Sequence, residues 1–499
     1  MVQLLMILMY GSIYLHDEFR PEVTLGPDPS RYPIRVAGIT LAGFWIIWTV
    51  FHTYAAWCGR NIDKTGRVRW VRKAERGLTL TRIAATGWWL FAIFQLDWLG
   101  AVRSQIGDLI LVDELVTMSP FIALLVGAWW SIYPVERRFH EALLVRHLDD
   151  PHGFPIHPLL TRAEQVWMNA RHQMLLWMVP LTLLMGWQEL LVMRGETMAH
   201  GLDRLLPRGG ERLMPAVQLV GMLTIITVTP AIMRIVWDTV RIGPGPLADQ
   251  VHAMCRRYRV RVGGPLLWRT RGSMVNGAIL GVIWPLRYML LTDALLERLT
   301  PGQVEAVMAH EVAHVRRRHL IWLGVCVLAT VLAALWAIAG AAGLLQELTG
   351  KEASEDLISL AAGVLGLGGA GFVFGLVSRR FEWQADAFAV QHLSRVEAEA
   401  ASPTPEAAPR VTAAAVATMA SALQSVADLN GIAANKFSWR HGSIRQRQDR
   451  LFKLVHVPLA AAPIDRQVFV IKLIAGIALA AGIASMILGE IFHWISLSF

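Results

Sequence analysis

Only three cysteines, Cys58, Cys255 and Cys326, occur in the 499 residues. They are far apart and odd in number, which argues against a disulfide framework and against a CxxC metal site. Charge is also scarce. Asp, Glu, Lys and Arg make up 17% of the chain, while apolar residues make up 54% and the mean hydropathy is +0.43. That balance excludes an ordinary soluble protein, because so much apolar surface must meet either a core or lipid. No cleavable signal peptide is expected: Met1–Tyr14 is apolar but lacks a basic start and an A-x-A-like exit. Acidic residues are fewer than basic ones, for a formal net charge of +9. The excess lies in loops beside apolar runs, as in the positive-inside bias of membrane proteins, so no nucleic-acid partner is expected.

Eight apolar runs approach the ~20 residues that cross a bilayer. They are Val36–Trp57, Ile83–Ala101, Leu115–Tyr133, Met174–Met193, Met214–Trp237, Leu320–Leu345, Leu357–Val377 and Ile471–Phe492. Met1–Tyr14 is short for a ninth and stands as a ninth, partial or re-entrant segment. Asp97, near a span end beside Trp98, reads as an interfacial residue. Basic residues follow spans one, three and five, whereas the loops after spans two and six are poorer in them and carry acidic residues. One alternating pattern fits, with 238–319 and 378–470 on the cytoplasmic side. The expected organisation is an N-terminal membrane region (1–237, about five spans), a cytoplasmic segment (238–319), a membrane hairpin (320–377), a second cytoplasmic segment (378–470) and a C-terminal span (471–499). Glu397–Pro409, rich in Ala, Glu and Pro, reads as a mobile linker. The glycines of the seventh span read as helix-packing residues.

In the first cytoplasmic segment Pro246–Tyr258 reads as a helix, and Ser273–Val282 and Tyr288–Leu291 as strands. A clear helix start follows, with Thr300 as N-cap, Pro301 at the first position and Gln303 completing a capping box. That helix carries His310-Glu311-Val312-Ala313-His314. Histidines four apart share one face, so both imidazoles can reach one zinc ion. Glu311 then stands where a carboxylate can deprotonate a zinc-bound water.

A catalytic zinc needs a third protein ligand and one open position. The metzincin position, six residues past His314, is Leu320, and Arg317 stands where the glycine belongs, so that class is excluded. His319, on another side of a continuing helix, reads as an interfacial polar residue. The alternative is Glu382, just after span seven, because a hairpin of spans six and seven returns it to the membrane face of His310. Asp386, one turn further on, is placed to accept the free N–H of a ligating histidine.

The stretch Leu295–His314 resembles the zinc helix of the HtpX and CAAX prenyl protease group of membrane metalloendopeptidases. Ser378–Ala389 (SRRFEWQADAFA) is similar to that group's glutamate-ligand motif. Val275-Asn276-Gly277-Ala278 resembles its Asn-containing strand, with Gly where Ala is usual. His441-Gly442-Ser443 with Arg447 resembles its His-Pro-Ser…Arg element, with Gly replacing Pro. The likeness covers roughly residues 245–455. It implies that Asn276 holds an extended substrate beside an edge strand. It also implies that His441 stabilises the oxyanion, and that Arg447 orients the site by pairing with a carboxylate such as Asp386.

The expected fold is mainly α: a polytopic membrane bundle with a small cytoplasmic α+β domain of gluzincin type. The expected activity is zinc endopeptidase, with one Zn2+ per chain held by His310, His314 and Glu382, and Glu311 as base. The expected substrates are membrane proteins or lipid-modified chains, with membrane lipid as a further partner. The rival expectation is a catalytically silent transporter or scaffold with a relic zinc motif. A sensor protease would need a large outer domain, and the outer loops here are short.

Overall fold

The computed structural model describes residues 2–18, 27–148, 159–205, 210–350, 354, 358, 361–401, 409–460 and 462–496. Two compact units divide it, Met1–Asp238 and Thr239–Phe499. The chain is mainly α. Eight of its described helices are long and apolar enough to cross a bilayer, and each overlaps one of the eight expected runs.

The first unit contains α1 (Val2–Glu18), α2 (Pro33–Thr65), α3 (Arg69–Phe94), α4 (Trp98–Ile106), α5 (Val112–Leu148), α6 (Arg162–Asn169), α7 (Leu176–Leu205) and α8 (Gly210–Val236). A π-helical turn, Ala170–Leu175, joins α6 to α7. The first segment forms a helix of 17 residues. It buries Leu5, Met6, Met9 and Ile13 in a core that includes Phe44, Trp89 and Phe121. The second span ends at Phe94, not Ala101 as the hydropathy suggested. Asp97 breaks it by adopting a left-handed conformation (φ 48°, ψ 52°) and capping α4 through the Gly100 N–H. Its carboxylate also lies 2.8 Å from His16 Nε2. Asp97 is thus a buried, paired cap at the end of the span.

The second unit begins with β1 (Thr239–Arg241), α9 (Pro246–Arg257), β2 (Pro265–Trp268), β3 (Gly277–Leu280), β4 (Tyr288–Thr292) and α10 (Asp293–Arg298). The sheet order is β1-β2-β4-β3, with β2 parallel to β4 and the other pairs antiparallel. Local alternation did not reveal β1 or β2, whose pairing is long-range. It also overextended β3, which is four residues long. Alternate backbone groups of β3 face opposite ways. Asn276 C=O accepts from Thr292 N at 3.1 Å on the β4 side, while Ile279 N–H points away from β4. Gly277 and Ile279 therefore present backbone groups at the open edge.

α11 (Pro301–Arg316) follows. Its capping box is reciprocal: Gln303 N donates to Thr300 Oγ1, and Thr300 N donates to Gln303 Oε1. Ala306, Met308, Ala309, Val312 and Ala313 are fully buried on it. Small side chains let a neighbouring helix approach closely. The chain then breaks at Arg318 (φ 54°, ψ 40°) and restarts as α12 (His319–Thr349). A π-helical turn, Ala362–Leu367, leads into α13 (Gly368–Ala401). The expected linker 397–409 is helical through Ala401, and 402–408 lie outside the described residues. α14 (Ala413–Leu429), α15 (Ile444–Phe452) and α16 (Pro463–Ser496) complete the unit. α11 packs against α13 and α14, and α12 packs against α13 and α16.

Thr300→Ala removes one half of the capping box. It should lower stability by about 1 kcal/mol, read as a drop in the thermal unfolding midpoint of the metal-free protein.

Candidate active site

α11 places His310 and His314 one turn apart, with their Nε2 atoms 3.2 Å from each other. α13 brings Glu382 to the same point. Its Oε2 lies 3.6 Å from His310 Nε2 and its Oε1 lies 3.8 Å from His314 Nε2. Ligands about 2.0–2.1 Å from a tetrahedral ion stand about 3.3–3.4 Å apart. The observed separations, of which the two to Glu382 involve different oxygens of its carboxylate, fall within about half an ångström of that value. Two nitrogens and one carboxylate oxygen also match the donor set that zinc takes. These three residues can therefore hold one metal ion.

A buried ionic network surrounds this point. Asp386 Oδ1 lies 3.0 Å from His310 Nδ1. Arg447, buried on α15, donates from Nε and Nη2 to the two Asp386 oxygens at 2.8 and 2.6 Å. Its Nη1 lies 3.4 Å from Glu382 Oε2. Ser443 positions α15 by accepting from Gln446 N. His441 Nδ1 lies 3.1 Å from Glu382 Oε1, on a half-exposed ring. Burial disfavours the His310 cation, but the Asp386 and Glu382 carboxylates outweigh it and hold its pKa up at about 10. Burial pushes His314 down to about 4.

Glu311 turns to the other side of α11, where Ile279 N of β3 donates to its Oε2 at 3.2 Å. Burial raises its pKa to about 7. β3 comes this close because residue 277 is glycine: a Cβ there would stand 2.7 Å from Val307 Cγ1. Asn276 lines the same cleft at the strand's start. The cleft measures about 880 Å³ and runs between β3, α11, α14 and the 430–443 loop. Leu320, Ile321 and Leu323, at the head of α12, extend it in an apolar direction.

Sequence reasoning missed three features. Asn430, at the end of α14, clamps the segment before β3: Val275 N donates to its Oδ1, and its Nδ2 donates to Val275 O. Gln384 and Asp465 enter the site's hydrogen bonding. His319, read as interfacial, is buried and lies 2.9 Å from His314 Nδ1. The break at Arg318 resets the helical phase and turns His319 back to the site. Its signals were the run Arg316-Arg317-Arg318 and a polar residue opening an apolar helix.

Fold and site together define a multi-pass membrane protein that carries a metallopeptidase domain. Residues 269–408 match the sequence model of peptidase family M48. The match contains His310, Glu311, His314, Glu382 and Asp386, and stops short of His441 and Arg447. Among solved structures, the chain is similar to the crystal structure of S. mikatae Ste24p. The identity is 13% over 83% of this chain and 98% of that chain, with a TM-score of 0.34. A search of curated proteins finds no match.

Arg447→Leu leaves Asp386 and Glu382 buried without their cation. It should destabilise the protein by about 3–5 kcal/mol, and Arg447→Lys by less. Chemical denaturation of the purified variants measures both.

Proposed function

We propose that this protein is a zinc endopeptidase acting at a membrane surface. His310, His314 and Glu382 hold one Zn2+ per chain, and Glu311 is the general base. The observation that carries this reading is the convergence of two imidazoles from α11 and one carboxylate from α13 at a spacing that one metal ion can bridge. Bound zinc supplies a positive charge that polarises the scissile carbonyl and lowers the pKa of a water.

Protein groups do the rest. Glu311 accepts the water's proton and later gives it to the leaving amine. The Ile279 amide fixes the carboxylate for that task. A substrate peptide lies extended along the open edge of β3, with Asn276 beside it. His441 donates to the developing oxyanion. Asp386 holds the His310 ring, and Arg447 holds Asp386.

The apolar extension of the cleft at the head of α12 favours peptides from membrane proteins or lipid-modified chain ends. The loop charges support a cytoplasmic site. Peptide substrates follow from the peptidase domain itself.

Glu311→Gln should keep stoichiometric zinc and lose cleavage by a factor of about 10² or more. Elemental analysis and proteomic comparison with wild type test both. Glu382→Ala should lower zinc occupancy in the same analysis. Retained proteolysis in the first variant refutes the base, and unchanged metal in the second refutes the ligand. A wild type with no zinc and no chelator-sensitive cleavage would favour the silent scaffold.

The base must be ionised to work. Burial raises Glu311 to about 7, and the charge of bound zinc opposes that rise. Activity should therefore be lost as pH falls, with an acid limb in kcat/KM at about 7 or below. In Glu311→Asp any residual activity should show a displaced limb. A limb unmoved by that change would refute the assignment.

A further inference from the structure

The hydrogen-bond chain on the far side of His314 has a fixed direction. Asp465, at the start of α16, carries a carboxylate that can only accept. Gln384 Nε2 donates to its Oδ1 at 2.5 Å, which fixes the Gln384 amide with Oε1 turned the other way. That oxygen is an acceptor, 2.9 Å from His319 Nε2, so His319 carries its proton on Nε2. In the neutral ring His319 Nδ1 is then a bare acceptor, 2.9 Å from His314 Nδ1. His314 must therefore be protonated on Nδ1 and bare on Nε2, the atom that faces His310 and Glu382.

The relay is held rigidly. His319 and Gln384 are buried. The His319 ring stacks on Phe381 at 4.4 Å between centroids, with planes 8° apart. Ala462 N donates to Asp465 Oδ2, and Lys472 Nζ donates to Arg317 O, tying α16 to the break between α11 and α12.

We infer that His319, Gln384 and Asp465 form a positioning relay that sets the tautomer and ring angle of His314, so that the C-terminal helix α16 is part of the metal site. The inference rests on the zinc reading above. It does for His314 what Asp386 does for His310, but through neutral groups. A metal-ligating histidine gains basicity and orientation from such a partner. The relay also departs from a direct carboxylate–histidine pair, because two neutral side chains separate the carboxylate from the ligand.

The test uses full-length protein purified in detergent, with zinc affinity measured by chelator competition and the Co2+-substituted site read by its d–d spectrum. His319→Leu should weaken zinc binding by about 10–100-fold and change the Co2+ bands. His319→Asn, whose Oδ1 can stand where Nδ1 stands, should stay within a few-fold of wild type. Gln384→Met should weaken zinc although His319 is intact, and it decides the matter if His319→Leu fails to fold. A merely structural role would lower the unfolding midpoint of the metal-free variants and leave zinc affinity and the Co2+ spectrum at wild-type values, which overturns the relay. A wild type with no zinc affinity overturns the zinc reading and the relay together. Tight wild-type binding with unchanged His319→Leu and Gln384→Met overturns the relay alone.

Discussion

A single buried guanidinium bridges two carboxylates beside two imidazoles. Taking Asp386 and Glu382 out of water costs several kcal/mol per ion. Arg447 offsets that cost with a bidentate bond to Asp386 and a 3.4 Å approach to Glu382. Without it Asp386 would lose the cation that keeps it charged beside His310, and Glu382 would lose one of the groups that favour its ionised form. The site therefore depends on α15, a short helix far along the chain from α11. Ser443 caps that helix, and Gly442 makes the turn before it at a φ of 76°.

Helix packing gives the network its precision. α11 and α13 share a core in which Ala309, Ala313, Ala385 and Ala389 are buried. Alanine at such positions lets two helices approach closely, and close approach brings Glu382 to 3.6 Å from His310 and 3.8 Å from His314. On the opposite face, Gly277 lets β3 approach Val307 and Glu311. One helix thus serves two neighbours, with ligand contacts on one side and an edge strand on the other. Asn430 braces that strand from α14 by hydrogen bonding both backbone groups of Val275.

What could be read in the chain divides along sequence separation. His310, Glu311 and His314 are legible because helical periodicity alone puts them together. Glu382 is legible because two apolar runs of bilayer length form a hairpin. The eight apolar helices follow from hydropathy. His319 was misread because a continuous helix was assumed, and one left-handed residue, Arg318, invalidates the assumption. The span boundary at Asp97 failed for the same reason. Left-handed backbone at a non-glycine residue leaves little trace in composition. Asn430, Gln384 and Asp465 were invisible because each acts through a partner distant in sequence, and amide side chains carry no motif of their own. β1 and β2 escaped likewise, since their pairing depends on the sheet and not on local alternation.

Two glutamates share this cleft, and their surroundings set them apart. Glu382 faces two imidazoles, the Arg447 guanidinium and His441, all of which favour a charged carboxylate. Glu311 has a single backbone amide, from Ile279, and burial raises its pKa to about 7. A carboxylate held by imidazoles and a guanidinium is suited to ligation, because it has little tendency to take a proton. A carboxylate poised near neutrality is suited to exchanging one, because neither its charged nor its neutral form is strongly preferred. Environments that separate two like groups in this way are how acid–base work and metal binding are divided within one cavity. The division here does not come from the residue type, which is the same. It comes from the neighbours of each carboxylate: Glu382 lies against His310, His441 and Arg447, whereas Glu311 lies against β3, where burial dominates and the Ile279 amide donates to it.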